Sequence, residues 1–187
     1  MKEYLKSFGI LTEGEIDSFE QLLVTKKIKK GEFFIQEGKI SQEVAFIASG
    51  FFRSYYYNSN EEEVAYCFTF SNSFITAYSS FLSQTATSEN IQALTDVELY
   101  SISRDKILQL EQSSTNWLKF FKLIAEQEYI NLEKRIFMLQ TESAEKRYED
   151  LLTNHPQLLQ LIPLHYLSSY LGITPRHLSR IRKLLQN

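Results

Sequence analysis

The chain has little cysteine and no long hydrophobic run, and both absences exclude classes of protein. Cys67 is the only cysteine among 187 residues, which excludes an internal disulfide and any metal cluster held by several thiolates of one chain. We interpret it as a buried, unreactive thiol because it lies in the apolar run VAYCFTF. No run of about 18 apolar residues is present, and the N-terminus does not have the pattern of a signal peptide. We therefore expect a cytoplasmic protein without a membrane segment, a metal or another cofactor.

Acidic residues are absent from the last fifth of the chain. Asp150 is the last acid. The charged residues of the segment 151–187 are all cations, namely Arg176, Arg180, Arg182 and Lys183. The other 16 of the 20 Lys and Arg residues share residues 1–150 with all 23 acids. A basic segment at the end of an acidic chain indicates that this segment meets a polyanion.

The middle of the chain has the pattern of an antiparallel β-roll. Thr12 and Glu15 have the spacing of a capping box and predict a short helix over residues 12–24. From residue 26 to about 103, short runs rich in Phe, Tyr, Ile and Val are separated by turn signals at spacings of about 8 to 12 residues. This spacing is typical of a sandwich or roll and not of βαβ units. The run NSFITAYSSFLSQ interrupts the strands and predicts a turn with a short helix.

Residues 104–150 are predicted to be helical and to contain one long helix with an apolar stripe. The stripe follows steps of three and four residues and consists of Leu118, Phe121, Ala125, Tyr129, Leu132, Ile136 and Leu139. Further apolar residues lie on a second face, and one small roll cannot cover two faces of a helix that spans about 45 Å. We favour a seam between two parallel helices of a dimer. A helix that packs only on its own chain is the alternative.

The stretch SYLGITPRHLSRIRK has the pattern of a helix-turn-helix. The first helix is predicted over residues 164–171, and Gly172 can take the positive φ at which that helix ends. Thr174 then caps a second helix over residues 175–185, and Pro175 occupies its first turn, where a missing N–H costs nothing. Glycine and proline therefore mark the end of one helix and the beginning of the next.

The outward face of the second helix is rich in cations and hydroxyl groups. The N-terminal part of such a helix enters the major groove, where Arg can bridge O6 and N7 of guanine. Hydroxyl groups and the helix N-terminus can bind phosphates. The predicted DNA-contacting residues are Thr174, Pro175, Arg176, His177, Ser179, Arg180 and Lys183. A basic surface on a helical hairpin that binds no DNA is the alternative.

Over nearly its whole length the sequence resembles the Crp/Fnr family of bacterial transcription regulators. The motifs that carry the resemblance are KKGEFFIQEG (29–38), IASGFFRSYYY (47–57), NIQALTDVELYSISRDKI (90–107) and, most specific, SYLGITPRHLSRIRKLL (169–185). The resemblance implies an α+β chain with a jelly-roll effector domain of the cyclic-nucleotide-binding type (1–110), a long dimerisation helix (111–145) and a helix-turn-helix DNA-binding domain (146–187). It also implies a homodimer on a two-fold symmetric site in double-stranded DNA, with RNA polymerase as a further candidate partner.

The sequence departs from the nucleotide-binding members of the family at their phosphate cassette. Those members carry a Gly-Glu pair before a short helix and an Arg followed by Ser or Thr after it. The matching positions here are Thr76, Ala77, Thr87 and Ser88, so only the serine is kept. Without a bidentate cation, binding of a cyclic nucleotide is not expected. A pocket for an unknown effector would be lined by Phe74, Ile75, Thr76, Ala77, Tyr78, Thr87 and Ser88.

Two function classes follow from the sequence. The first is a dimeric, DNA-binding transcription regulator whose degenerate cyclic-nucleotide site binds another effector or none. The second is a ligand-binding or protein-binding module that does not bind DNA. The overall acidity favours it, and so does the lack of the β wing that usually accompanies the helix-turn-helix in this family, since the nine residues HPQLLQLIP precede the first helix and Gln186 and Asn187 follow the second. Enzymatic activity is not expected, because no Ser or Cys nucleophile has a His at motif spacing and no glycine-rich phosphate loop is present.

Overall fold

The computed structural model describes residues 1–154, 156 and 158–185. Its helices are α1 (Lys2–Ser7), α2 (Glu13–Gln21), α3 (Tyr78–Ser83), α4 (Arg104–Ser113), α5 (Thr115–Thr141), α6 (Ala144–Asn154), α7 (Leu158–Leu161), α8 (Leu164–Tyr170) and α9 (Pro175–Leu185). Its strands are β1 (Val24–Ile28), β2 (Phe33–Ile35), β3 (Glu43–Ser49), β4 (Phe51–Tyr57), β5 (Glu63–Phe70), β6 (Phe74–Ile75), β7 (Asn90–Ala93) and β8 (Val97–Ser103). None of the described helices is both long and apolar enough to cross a membrane.

Two four-stranded sheets form the predicted roll. One has the strand order β1-β8-β3-β6 and the other β2-β7-β4-β5. Strand β8 pairs antiparallel with β1 and β3, and β7 pairs antiparallel with β2 and β4. The side chains of Ile47, Phe52, Ile91 and Leu99 are at most 1% exposed and belong to one core cluster. The α+β fold class with an antiparallel roll is therefore confirmed.

The predicted Ser49-Gly50 turn joins β3 to β4 in a place where only glycine fits. Gly50 has a φ of +82°, and a Cβ added there would lie 2.4 Å from the carbonyl oxygen of Asp96. Positive φ is costly for residues with a Cβ, and this close approach adds a steric clash.

The predicted N-terminal helix is present as α2 and has the predicted capping box, but it ends at Gln21, and Val24 at the end of the predicted range begins β1. The Glu15 N–H donates to Thr12 Oγ1 at 3.3 Å, and the Thr12 N–H donates to Glu15 Oε2 at 2.8 Å. Trp117 and Phe120, at the start of α5, are each 1% exposed and pack in one cluster with Phe19 and residues of α1 and α4. The beginning of α5 is therefore anchored in the core of its own chain.

The helical region that was predicted over residues 104–150 consists of three helices. Ser114 has extended backbone dihedrals and separates α4 from α5. Helix α6 begins after Ser143, whose Oγ accepts a hydrogen bond from the Lys146 N–H at 3.1 Å. The long helix α5 has 27 residues and is shorter at both ends than the predicted range 111–145.

The chain forms two compact units. One contains residues 1–56 and 67–126, and the other contains residues 57–66 and 127–187. The division falls inside α5 and places the tip of the β4–β5 hairpin with the C-terminal helices, whereas the sequence suggested boundaries near residues 110 and 145.

Cys67 is only partly buried, so the interpretation of a buried thiol is wrong. It lies on β5, which is an edge strand of its sheet and has mostly half-buried side chains. An apolar run in the sequence does not distinguish an edge strand from a central one.

Candidate functional site

Helices α8 and α9 meet in a tight turn that follows the predicted pattern. Gly172 has a φ of +69°. The N–H groups of Gly172 and of the next residue donate to carbonyls in the last turn of α8, each at 3.0 Å, which is a Schellman motif. Thr174 caps α9, since its Oγ1 accepts from the His177 N–H at 3.2 Å. The predicted helix-turn-helix is thus present, and α9 has its predicted ends, whereas α8 ends one residue earlier than predicted, with Leu171 as its C-cap.

The inner faces of these two helices are fully packed. The side chains that are at most 1% exposed are those of Leu167, Ser168, Leu171, Leu178 and Ile181. The small residue Ser168 donates its hydroxyl to the His165 carbonyl at 2.9 Å, so the buried oxygen is satisfied. This packing fixes the outer face of α9 towards solvent.

Most of the residues predicted to contact DNA lie on that outer face. Thr174 and Pro175 are exposed at the N-terminus of α9, and Arg176, Arg180 and Lys183 are exposed along it. Within the described parts of the chain, none of these three cations forms an ion pair. The face therefore presents positive charge and a helix N-terminus without a neutralising acid.

His177 and Ser179 are less available than the other predicted residues. The His177 side chain is 32% exposed, and its Nε2 lies 3.5 Å from Glu145 Oε1. Its place one helical turn before buried Ile181 puts it at the edge of the inner face, which the sequence analysis did not anticipate. Ser179 donates its hydroxyl to the Pro175 carbonyl at 2.9 Å.

The carboxyl that faces His177 is held in its charged form. The pKa of Glu145 lies below its ordinary value, first through a hydrogen bond from its own backbone N–H, and further through the side chains of Ser143 and His177. The carboxylate also sits in the first turn of α6, where the helix dipole favours negative charge.

Two arginines that the sequence analysis did not single out bind the end of α8. Arg147 on α6 is 9% exposed, and its Nε donates to the Leu171 carbonyl at 3.0 Å. Arg135 on α5 donates Nη2 to the Tyr170 carbonyl, and its guanidinium lies 3.8 Å from the centroid of the Tyr170 ring. A signal for Arg147 was present, because it shares one helix face with three residues that are buried, Ala144, Tyr148 and Leu151.

A serine on α8 binds the backbone of the β4–β5 hairpin. Ser169 Oγ accepts from the Ala65 N–H at 3.0 Å and donates to the Glu63 carbonyl at 3.1 Å. One hydroxyl thus satisfies a donor and an acceptor on an edge strand.

The phosphate-cassette positions are occupied by short polar and apolar side chains that bind local groups. Thr76 donates its hydroxyl to the Glu43 carbonyl at 2.9 Å, and the side chain of Ala77 is fully buried. Thr87 is 8% exposed, and its Oγ1 accepts from the Glu89 N–H at 3.1 Å. No cation occupies any of these positions, so they offer no charged partner to a cyclic phosphate.

The other predicted pocket residues differ in their exposure and surroundings. The Phe74 ring packs against Phe46 at 5.3 Å and belongs to the aromatic core, Ile75 is 5% exposed, and Ser88 is exposed while Tyr78 is half-buried. A pocket of about 300 Å³ lies nearby and is lined by residues 33–36 and 39–43. In the described chain no group of three His, Cys, Asp or Glu side chains is placed to hold a metal ion.

The apolar stripe of α5 is exposed along most of its length. The exposed fractions are 50% for Leu118, 65% for Tyr129, 55% for Leu132, 43% for Ile136 and 40% for Leu139. Phe121 and Ala125 are half-buried. A row of apolar side chains of this length is unusual on the surface of a monomer.

Comparison with known proteins identifies the roll and the arrangement of elements. Residues 25–114 match the model of the family described as Cyclic nucleotide-binding domain, which is just under half of the chain. A comparison with curated protein sequences finds no match.

Solved structures with the same fold include proteins described as regulators. FixK2 from Bradyrhizobium japonicum is 16% identical, with a TM-score of 0.76 over 88% of this chain and 84% of that one. The c-di-GMP responsive global regulator CLP from Xanthomonas campestris is 16% identical, with a TM-score of 0.74 over 94% and 92%. A regulator described as of the crp/fnr family, from Eubacterium rectale, is 16% identical, with a TM-score of 0.76 over 98% and 88%.

The chain therefore combines a cyclic-nucleotide-binding-type roll with a C-terminal helix-turn-helix. Its structural neighbours include a regulator described as of the crp/fnr family, and the resemblance drawn from the sequence is confirmed at the level of the fold.

Proposed function

We propose that the protein is a homodimeric, DNA-binding transcription regulator of the Crp/Fnr type. The proposal rests on Arg176 and Arg180, which lie in the N-terminal half of α9, are exposed and form no ion pair with a described residue. In a helix-turn-helix this is the segment that enters the major groove, and two arginines one turn apart can each bind a guanine edge. Thr174, Pro175, His177, Ser179 and Lys183 complete the proposed DNA-binding set.

The dimer is proposed to form along α5. The exposed stripe from Leu118 to Leu139 would be covered by the same stripe of a second copy, as two-fold symmetry requires of an isologous interface. Two recognition helices then read two half-sites about one helical turn apart, near 10 base pairs centre to centre.

The effector is proposed to differ from cyclic AMP. Thr87 stands where the cyclic-nucleotide-binding members have Arg, and its hydroxyl is already bound to the backbone. These positions suit an effector without a cyclic phosphate, or a protein that has no effector, better than they suit cyclic AMP. Contact with RNA polymerase belongs to the same proposal.

One observation favours the alternative of a module that does not bind DNA. Among the described residues after 141, only helices and turns occur, so no β wing adds phosphate contacts there. The net charge of −3 would also oppose approach to DNA outside the α9 face.

Selection from random duplex DNA by the purified full chain separates the two functions. We expect a two-fold symmetric motif, and Arg176→Ala should relax the preference mainly at one base pair per half-site, with a cost of about 1–3 kcal/mol. Arg104→Ala, an arginine of α4, is the control and should leave the motif unchanged. Recovery of no symmetric motif by the wild type would favour the alternative.

A further inference from the structure

The end of α8 is held by two arginines at consecutive backbone carbonyls. Arg135 binds the Tyr170 carbonyl and stacks on the ring of the same residue. Arg147 binds the carbonyl of Leu171, the C-cap residue of α8. Both contacts immediately precede Gly172, where the chain turns into α9.

Arg147 also binds the end of α5. Its Nη1 donates to the Glu142 carbonyl at 2.6 Å and lies 3.4 Å from the Leu139 carbonyl. Carbonyls in the last turn of a helix have no partner within that helix, and the dipole favours a cation at this end. One buried guanidinium therefore satisfies the C-terminal ends of two helices, α5 and α8, at the same time.

The Arg147 side chain has no carboxylate partner in the described part of the chain, and its charge is balanced by carbonyl dipoles. Binding of several carbonyls by one side chain requires an arginine in a fixed position, because its planar guanidinium presents its N–H donors in fixed directions. Lysine would keep the charge but could not reach carbonyls of both helices with fixed geometry. The pair Arg135 and Arg147, which we call the arginine clamp, thus ties the helix-turn-helix to the C-terminal half of α5.

We infer that the arginine clamp sets the spacing between the two DNA half-sites that the dimer reads. This inference rests on the proposed function. If α5 forms the dimer axis, the orientation of α9 relative to α5 determines the distance and rotation between the two recognition helices. Adding one base pair moves a half-site by about 3.4 Å and rotates it by about 34°. With a rigid clamp the dimer should bind DNA of altered spacing more weakly. With a loosened clamp it should bind such DNA with little loss of affinity. The residues of the clamp therefore determine specificity for spacing, while Arg176 and Arg180 determine specificity for bases.

A series of duplexes with the selected half-sites and spacers lengthened or shortened by one base pair tests the inference. The wild type should lose about tenfold or more in affinity on the changed spacers, the scale of one wrong base pair. Arg147→Lys and the milder Arg135→Lys should reduce this loss to about threefold or less and keep the base preference within each half-site. Lys134→Gln removes the neighbouring, exposed cation of α5 and should behave as the wild type. Unchanged spacing selectivity in both clamp variants, with retained helical circular dichroism, would overturn the inference.

A second measurement needs no DNA. Spin labels at Gln127→Cys and Leu184→Cys, in a Cys67→Ser chain diluted with unlabelled protein, report the distance between α5 and α9 within one protomer. The wild type and Lys134→Gln should give one narrow distribution, and both clamp variants a broader one. Equal widths would show that the clamp does not hold α9. If the wild type bound no DNA, the proposed function would fail while this measurement would still decide whether the clamp fixes the helix.

Discussion

Replacing Leu132 and Ile136 by Asp should convert the protein from a dimer to a monomer. These side chains are 55% and 43% exposed in one copy, so about half of their surface remains to be buried by a partner. Full burial of such a side chain stabilises by about 1.5–3 kcal/mol, and the remaining half by about 1 kcal/mol. Two-fold symmetry places four of these side chains in the interface, which gives about 4 kcal/mol, or about a thousandfold in the dissociation constant. The introduced carboxylates add a desolvation cost.

Sedimentation velocity at protein concentrations from about 1 to 50 μM measures the change, a range that brackets micromolar dissociation constants. Lys134→Asp is the matched control, because residue 134 lies on the opposite side of α5 from Leu132 and is exposed. It should remain dimeric. A monomeric wild type over the whole range, or a double variant that still forms dimers, would refute the assignment of the stripe as a dimer seam.

Three further predictions concern the effector site, two glycines and one carboxyl. Cyclic AMP should show no micromolar binding in a calorimetric titration, and tight saturable binding would contradict the account of the cassette. Gly50→Ala should lower the free energy of unfolding by about 3 kcal/mol or more, because its Cβ would lie 2.4 Å from a backbone oxygen. In Gly172→Ala the nearest atom to the new Cβ is Leu139 Cδ2 at 3.5 Å, so this variant should lose only about 1 kcal/mol, which is the cost of its positive φ. Equal losses in denaturant unfolding would count against this ranking. Burial alone would raise the pKa of Glu15, but hydrogen bonds from Ser114, Thr12 and Asn116 lower it to about 2. Because its folded pKa is below the unfolded value of 4.5, its contribution to stability is complete above pH 4.5 and lost as the pH falls towards 2. Glu15→Gln should remove this acid dependence between pH 4.5 and 2, and an unchanged stability profile would show that the carboxylate is not the cause.

The helix-turn-helix could be predicted because its signals are local. Gly172 at a positive φ, Thr174 at a cap and Pro175 in a first turn each act within a few residues of the chain. The stripe of α5 was predictable for the same reason, since helical periodicity alone places its residues on one face. Its exposure in a single copy required the structure.

The arginine clamp could not be predicted in full, because its acceptors are backbone carbonyls that have no signature in the sequence. The face that Arg147 shares with buried residues indicates burial but not the partner. Strand order in the roll and the partly exposed position of Cys67 on an edge strand depend on pairings between distant segments. His177 was placed with the groove-facing residues, and its approach to Glu145 depends on the packing of α6.

The salt dependence of DNA binding tests most directly the claim that α9 contacts DNA. Fluorescence anisotropy with the selected duplex, between about 50 and 200 mM salt, gives the slope of log affinity against log salt concentration, which grows by about 0.9 for each phosphate that is neutralised. We predict a clear negative slope for the wild type. Lys183→Ala should reduce that slope by about one and weaken binding to all sequences alike. Absence of any slope, or a slope that stays the same in Lys183→Ala, would contradict the claim that this helix binds DNA.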